Sequence, residues 1–172
     1  MGARMRYASA ALVAVLAACT PEPAKQAEPM MADSGVVSEI VGVATVSDGS
    51  TIRIGQRRIR FDGVATPGQG SMCGDVNVYR GAADALRQIT RSNQVSCRIS
   101  DAPDSSGRDI AQCSVEGADL GEYMVTNGWA REVPRDSGGA YAEEEAAARV
   151  AGLGVWNASC PANLWRGRDY SE

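Results

Sequence analysis

Residues Val41 to Val64 read VGVATVSDGSTIRIGQRRIRFDGV, and the pattern of this stretch decides the fold. Val41 to Val46 is rich in β-branched residues and closes at the turn Ser47-Asp48-Gly49-Ser50. Thr51-Ile52-Arg53-Ile54 alternates apolar with polar, and Gly55-Gln56 makes a two-residue hairpin turn. From Arg57 to Val64, Ile59 and Phe61 share one face while Arg58 and Arg60 share the other. A period of two repeated over three such runs predicts an antiparallel meander with one buried face and one arginine-rich face. Arg53, Arg57 and Arg58 read as the solvated part of that face.

Downstream, Ala65 to Val78 holds Pro67, three glycines and Cys73 and reads as a loop. Tyr79 to Arg91 has helical spacing, with Ala82, Leu86 and Ile89 on its apolar stripe. Gln94 to Ser100 and Asp109 to Val115 are two further strands around the loop Asp101 to Arg108. Asp119 and Glu122 fit a capping box that starts a second helix, ended by Asn127-Gly128. Tyr141 to Ala151 is a third, Ala/Glu-rich helix stopped by Gly152 and Gly154, and Trp156 to Arg166 is an irregular tail. Five short strands with a helix between the third and fourth predict an α+β domain over residues 36–172. Its architecture is a five-stranded OB-type β-barrel with three helices.

Upstream, Arg4 and Arg6 precede an apolar run from Ala8 to Ala18 that is too short to span a bilayer. Residues 1–18 therefore read as a secretory signal peptide. Leu16-Ala17-Ala18-Cys19 resembles the bacterial lipobox, which makes Cys19 the expected lipidation site. Thr20, in place of Asp, implies outer-membrane sorting if the cell is Gram-negative. Residues 19–35, with Pro21, Pro23 and Pro29 and no periodicity, read as a tether. The expectation is an exported, lipid-anchored protein of the cell envelope, with the membrane as its first partner.

Beyond residue 35 the chain has 14 arginines, no lysine and 18 acidic residues, a balance of −4. An acidic domain is poorly suited to non-specific nucleic-acid binding, which needs a basic face. The chain has no histidine, so the commonest general base and metal ligand is absent. Apart from Cys19, four cysteines remain: Cys73, Cys97, Cys113 and Cys160. An even number in an exported domain reads as two disulfides, with three pairings possible.

From about Val41 to Arg166 the chain resembles the staphylococcal nuclease-like (thermonuclease) family. The resemblance rests on Val46-Ser47-Asp48-Gly49-Ser50-Thr51, Arg58 to Pro67, Gly81 to Leu86, Ser106 to Ala111 and Met124 to Ala130. It continues through Tyr141 with Glu145, Ala148-Arg149, Gly152 to Trp156, Pro161 and Trp165-Arg166. This family cleaves phosphodiesters of DNA and RNA with one Ca²⁺. Such a reaction requires a hard cation held by carboxylates, a base for the attacking water and cations for the developing charge.

The resemblance implies a metal-binding Asp at position 50, another at 65 and a Glu base at 68. The chain has Ser50, Ala65 and Gly68 there. Arg60 and Arg108 match the family's phosphate-binding arginines, and Thr66 is also retained. Asp48 and Asp62 are the remaining carboxylates that could approach a cation. This set favours a non-catalytic binding or interaction module, with no cofactor expected and an envelope protein or small anionic ligand as partner. The alternative is a weak or altered Ca²⁺-dependent phosphodiesterase acting on DNA or RNA through Asp48 or Asp62 and the two arginines. A purely structural envelope lipoprotein is a third reading.

Cys97 and Cys113 lie on the two strands that flank the Arg108 loop, where matched positions bring cysteines into range. Extracellular relatives in the family often pair a cysteine near position 73 with one just before the first helix. That place holds Arg80 here, which leaves Cys160 for Cys73 and would tie the loop over the site to the C-terminal tail.

Overall fold

The computed structural model describes residue 2, residues 38–100 and residues 102–166. The chain divides into Met1–Asp33 and Ser34–Glu172, and the second unit carries all the elements below. The expected signal peptide, Cys19 and tether lie outside the described residues. The barrel strands are β1 (Glu39–Asp48), β2 (Thr51–Ile54), β3 (Arg57–Phe61), β4 (Gln94–Ile99) and β5 (Asp109–Val115). The longer helices are α1 (Val78–Thr90), α2 (Leu120–Thr126) and α3 (Ala142–Val150).

β1 serves two neighbours. Glu39 to Val43 pair with β4, and Ala44 to Asp48 pair with β2, both antiparallel. Gly42, paired with Val95, lies two residues before the pairing with β2 begins at Ala44, and a Cβ there would lie 2.7 Å from Ile54 Cγ2. Glycine is the residue that lets a strand turn a barrel corner this closely. A bulge between Val46 and Asp48 bends the far end. β2 pairs with β3 and β4 with β5, again antiparallel, and β3 runs parallel to β5 from Ile59↔Asp109 to Phe61↔Ala111. That last pairing closes a five-stranded barrel of the expected OB type.

Alternation fills the interior. Ile52, Ile59, Phe61 and Val95 point inward and are fully buried, as are Leu86 of α1 and Leu120 and Met124 of α2. The Asn77 side chain caps α1 by accepting from Arg80 N–H at 2.9 Å. Asp119 caps α2 by accepting from Glu122 N–H at 2.8 Å. Past α2, Val155 N–H donates to Gly128 O at 2.8 Å. A Cβ on Gly154 would stand 2.1 Å from that oxygen, so only glycine permits this approach.

Three local features depart from the reading of the sequence. The strand begun at Arg57 stops at Phe61, because Asp62-Gly63 forms a turn with Gly63 at φ +67°. Val64–Ala65 then pairs with Arg131–Glu132 instead of continuing β3. The loop before α1 contains a small ladder, Met72–Cys73 against Val76–Asn77. Pro134–Ser137 forms a helical turn opened by Pro134.

The cysteines form two bonds. Cys97 and Cys113 are register partners of β4 and β5, with their sulfurs 2.10 Å apart. Cys73 is bonded to Cys160 at 1.90 Å. Two disulfides fit an oxidising, exported environment. Among the described residues no helix is long and apolar enough to cross a membrane.

Candidate functional site

The turn between β1 and β2 is held by packing that tolerates no side chain at its centre. A Cβ on Gly49 would meet Ala82 Cβ at 2.6 Å and Thr66 Cγ2 at 3.0 Å. Ala82 of α1 thus rests directly on the turn, with Thr66 beside it. Tyr79 lies three residues before Ala82, hence on the same side of the helix. The result is a cleft of about 240 Å³ at the barrel mouth, walled by Asp48, Ser50, Arg60, Ala65, Thr66, Pro67, Tyr79 and Arg108.

The floor of this cleft is a hydroxyl-rich network. Ser50 donates to Asp48 Oδ1 from its backbone N–H at 2.9 Å and from its Oγ at 3.3 Å. Ser50 Oγ also lies 3.2 Å from Thr66 Oγ1. Both Ser50 and Thr66 are buried. Asp48 Oδ2 has no partner among the described residues.

The two arginines are held differently. Arg60 reaches Val64 O with one Nη at 3.4 Å, a long and weak bond. Arg108 is clamped by Asp104, with Nε 2.7 Å and Nη2 2.6 Å from Oδ2. Asp104 also accepts the backbone N–H of Arg108 at 3.0 Å and of Ser106 at 2.9 Å. Burial pushes the Asp104 carboxyl upward, but these hydrogen bonds and the Arg108 charge outweigh it and hold the pKa at about 2. Arg60 is therefore the more available cation in the cleft.

The expected positions converge unevenly. Asp48, Ser50, Arg60, Ala65, Thr66 and Arg108 meet in one cleft, whereas Gly68 and Asp62 are not among its walls. Asp62, expected on the face of Arg60, follows the end of β3 at Phe61 and opens the turn with Gly63. Burial raises its pKa, with Asp136 adding to the rise, while the Gly63 N–H and Arg60 oppose it. Cys73, in the loop that supplies Thr66 and Pro67 to the cleft, packs in an apolar cluster with Val78 and Val155 and is not itself among the cleft walls. Tyr79 was read only as a helix start. Its clue was its place in the first helical turn after the loop, on the side of Ala82.

A Ca²⁺ ion takes six to eight oxygen ligands, anionic carboxylates prominent among them. The cleft offers one carboxylate, already accepting two hydrogen bonds on one oxygen, and its other walls carry neutral or cationic side chains. This donor set does not fit the ion. Among the described residues no group of three or more His, Cys, Asp or Glu converges as a metal site.

The model for the staphylococcal nuclease homologue family matches residues 58–158. The chain belongs to that family. It is also similar to the succinoglycan biosynthesis protein ExoI of Rhizobium meliloti (strain 1021). The two are 29% identical over 148 residues, covering 80% of this chain and 77% of that protein. Family membership accounts for the shared barrel, and the site must be judged on its own residues.

Away from the cleft, the chain holds two buried carboxylates. Glu132 Oε1 accepts from Ser137 Oγ at 2.6 Å and from Tyr141 N–H at 2.9 Å. Glu145 accepts from the Glu132 N–H and from Arg149 Nε at 3.0 Å. Arg149 in turn stacks over Trp156 at 4.0 Å. Burial pushes the Tyr141 hydroxyl well above its ordinary pKa, and Asp119, which accepts from it at 3.3 Å, adds to the shift.

Proposed function

We propose that this protein is a non-catalytic member of the nuclease family that binds a small anionic ligand at the barrel mouth. The observation that carries this reading is the Ser50–Thr66 hydroxyl pair, 3.2 Å apart, in a cleft that also holds Ala65, Arg60 and Arg108. The Ser50 hydroxyl and the Ala65 methyl group stand where the family resemblance implies anionic ligands for a cation in phosphodiester hydrolysis. A positioned general base contributes about 10²- to 10⁴-fold in rate, and position 68 is glycine. Asp48 lies within the cleft but its Oδ1 is engaged by Ser50. The acidic, lysine-free domain argues against a long nucleic acid as the ligand.

The setting we propose is the cell envelope, with the chain anchored through lipidated Cys19. The Leu16-Ala17-Ala18-Cys19 motif and the two disulfides support it. The similarity to a protein named for succinoglycan biosynthesis is compatible with a role near envelope glycans.

The test is cleavage of single-stranded DNA and RNA by the full-length chain with and without Ca²⁺, alongside calorimetric Ca²⁺ titration. The expected result is no metal-dependent cleavage and no Ca²⁺ binding. Ser50→Asp, Ala65→Asp and Gly68→Glu together should create Ca²⁺ affinity. Metal-dependent cleavage by the unmodified chain that disappears in Arg60→Ala would overturn the proposal.

A further inference from the structure

Tyr79 and Asp48 narrow the class of ligand. A site for a bare inorganic anion needs donors and positive charge, and a carboxylate in it is a liability. This cleft nevertheless keeps Asp48 on its wall, with Oδ2 unpartnered among the described residues. It also holds two short hydroxyls 3.2 Å apart and the phenol ring of Tyr79. A carboxylate oxygen accepts from ligand hydroxyls, while Ser50 and Thr66 can donate or accept. An aromatic ring covers the apolar face of a flat or puckered ring at low entropic cost.

We infer that the cleft binds a monosaccharide phosphate. Its phosphoryl group is held by Arg60 with help from Arg108, its hydroxyls by Asp48, Ser50 and Thr66, and its ring by Tyr79. The inference rests on the reading of the cleft as an anion site and adds the chemistry of what carries the anion. The loops that wall it, between β1 and β2 and between β4 and β5, are those through which OB barrels bind oligonucleotides and oligosaccharides. Two arginines, one of them clamped by Asp104, suit a single phosphoryl group better than a run of phosphodiesters. The cleft volume of about 240 Å³ also suits one small ligand rather than a strand.

The experiment is calorimetric titration of the full-length chain with inorganic phosphate, glucose, glucose 6-phosphate and thymidine 5′-monophosphate. Glucose 6-phosphate is expected to bind at least about fivefold more tightly than inorganic phosphate, the worth of one net hydrogen bond. Glucose alone should bind far more weakly. Tyr79→Ala should remove most of that preference, and Tyr79→Phe should retain it. Asp48→Asn should strengthen phosphate binding while weakening the preference for the sugar phosphate, a crossed response that mere unfolding does not produce.

Failure of the inference and failure of the underlying reading are distinguishable. Equal affinities for phosphate and glucose 6-phosphate, with Tyr79→Ala without effect, overturn the sugar assignment and leave the anion site standing. Tighter binding of thymidine 5′-monophosphate than of glucose 6-phosphate also overturns it, in favour of a nucleotide. Absence of phosphate binding, or binding unchanged in Arg60→Ala, overturns both.

Discussion

Two regions of the molecule treat carboxylates in opposite ways. Around α3, Glu132 and Glu145 are buried and accept hydrogen bonds from backbone N–H groups, a hydroxyl and a guanidinium. Of the three positions where the family resemblance implies carboxylates, Ser50 and Ala65 wall the cleft at the barrel mouth, and the third is Gly68. A buried carboxylate that organises several donors is costly to remove, because each donor is left unsatisfied. A carboxylate that would hold a cation contributes nothing to folding, and clustering several is electrostatically unfavourable without the ion. The acidic groups of the α3 region are thus tied to stability, and those of the mouth would be tied to chemistry alone.

The comparison yields a series of tests. The largest effect concerns the clamp on the tail beside α3. Replacing Cys73 and Cys160 by alanine opens a closure of 87 residues and should cost about 4–5 kcal/mol in urea unfolding. The 16-residue closure of Cys97–Cys113 should cost about 3 kcal/mol. Next, Glu132→Ala leaves Tyr141 N–H and Ser137 Oγ without their acceptor and should cost about 2–3 kcal/mol. A loss below that of a surface substitution would erase the contrast between the two regions.

A smaller effect depends on pH. Asp104 has a folded pKa of about 2 against an ordinary 3.8, so its stabilisation is present above pH 4. It should fade as pH falls from about 4 toward 2, and Asp104→Asn should flatten that limb of the melting-temperature profile. Asp62, whose pKa is raised, works in the opposite sense and favours the folded state on acidification. The smallest effect belongs to the mouth. Ser50→Ala removes bonds to Asp48 and Thr66 and should cost no more than about 1 kcal/mol. A cost equal to that of Glu132→Ala would show that the mouth is part of the structural frame.

Much of this molecule was legible in its order of residues. The period-two pattern of Thr51 to Phe61 and the helical stripe Ala82, Leu86 and Ile89 are local, and burial of their apolar members leaves few alternatives. The stripe Tyr141, Glu145 and Ala148 was present at helical spacing too, but a glutamate in it does not reveal a buried role. That role depends on Glu132, thirteen residues earlier, offering its N–H. For Asp62 the period-two rule reaches only as far as Phe61, where β3 ends and the turn through Gly63 at φ +67° begins.

The sequence by itself determined the barrel, its helices and the residues at the three altered positions, since each follows from local periodicity or from a side chain's own chemistry. Only the tertiary structure decided that Tyr79 joins Asp48, Ser50 and Arg60, that Asp62 is not among the walls of their cleft, and that Arg108 is held by Asp104 while Arg60 keeps one long bond to Val64 O. Those outcomes depend on how α1 settles on Gly49 and how the loop after β4 folds back onto Asp104. Contacts between residues far apart in the chain are set by packing, which no local pattern encodes.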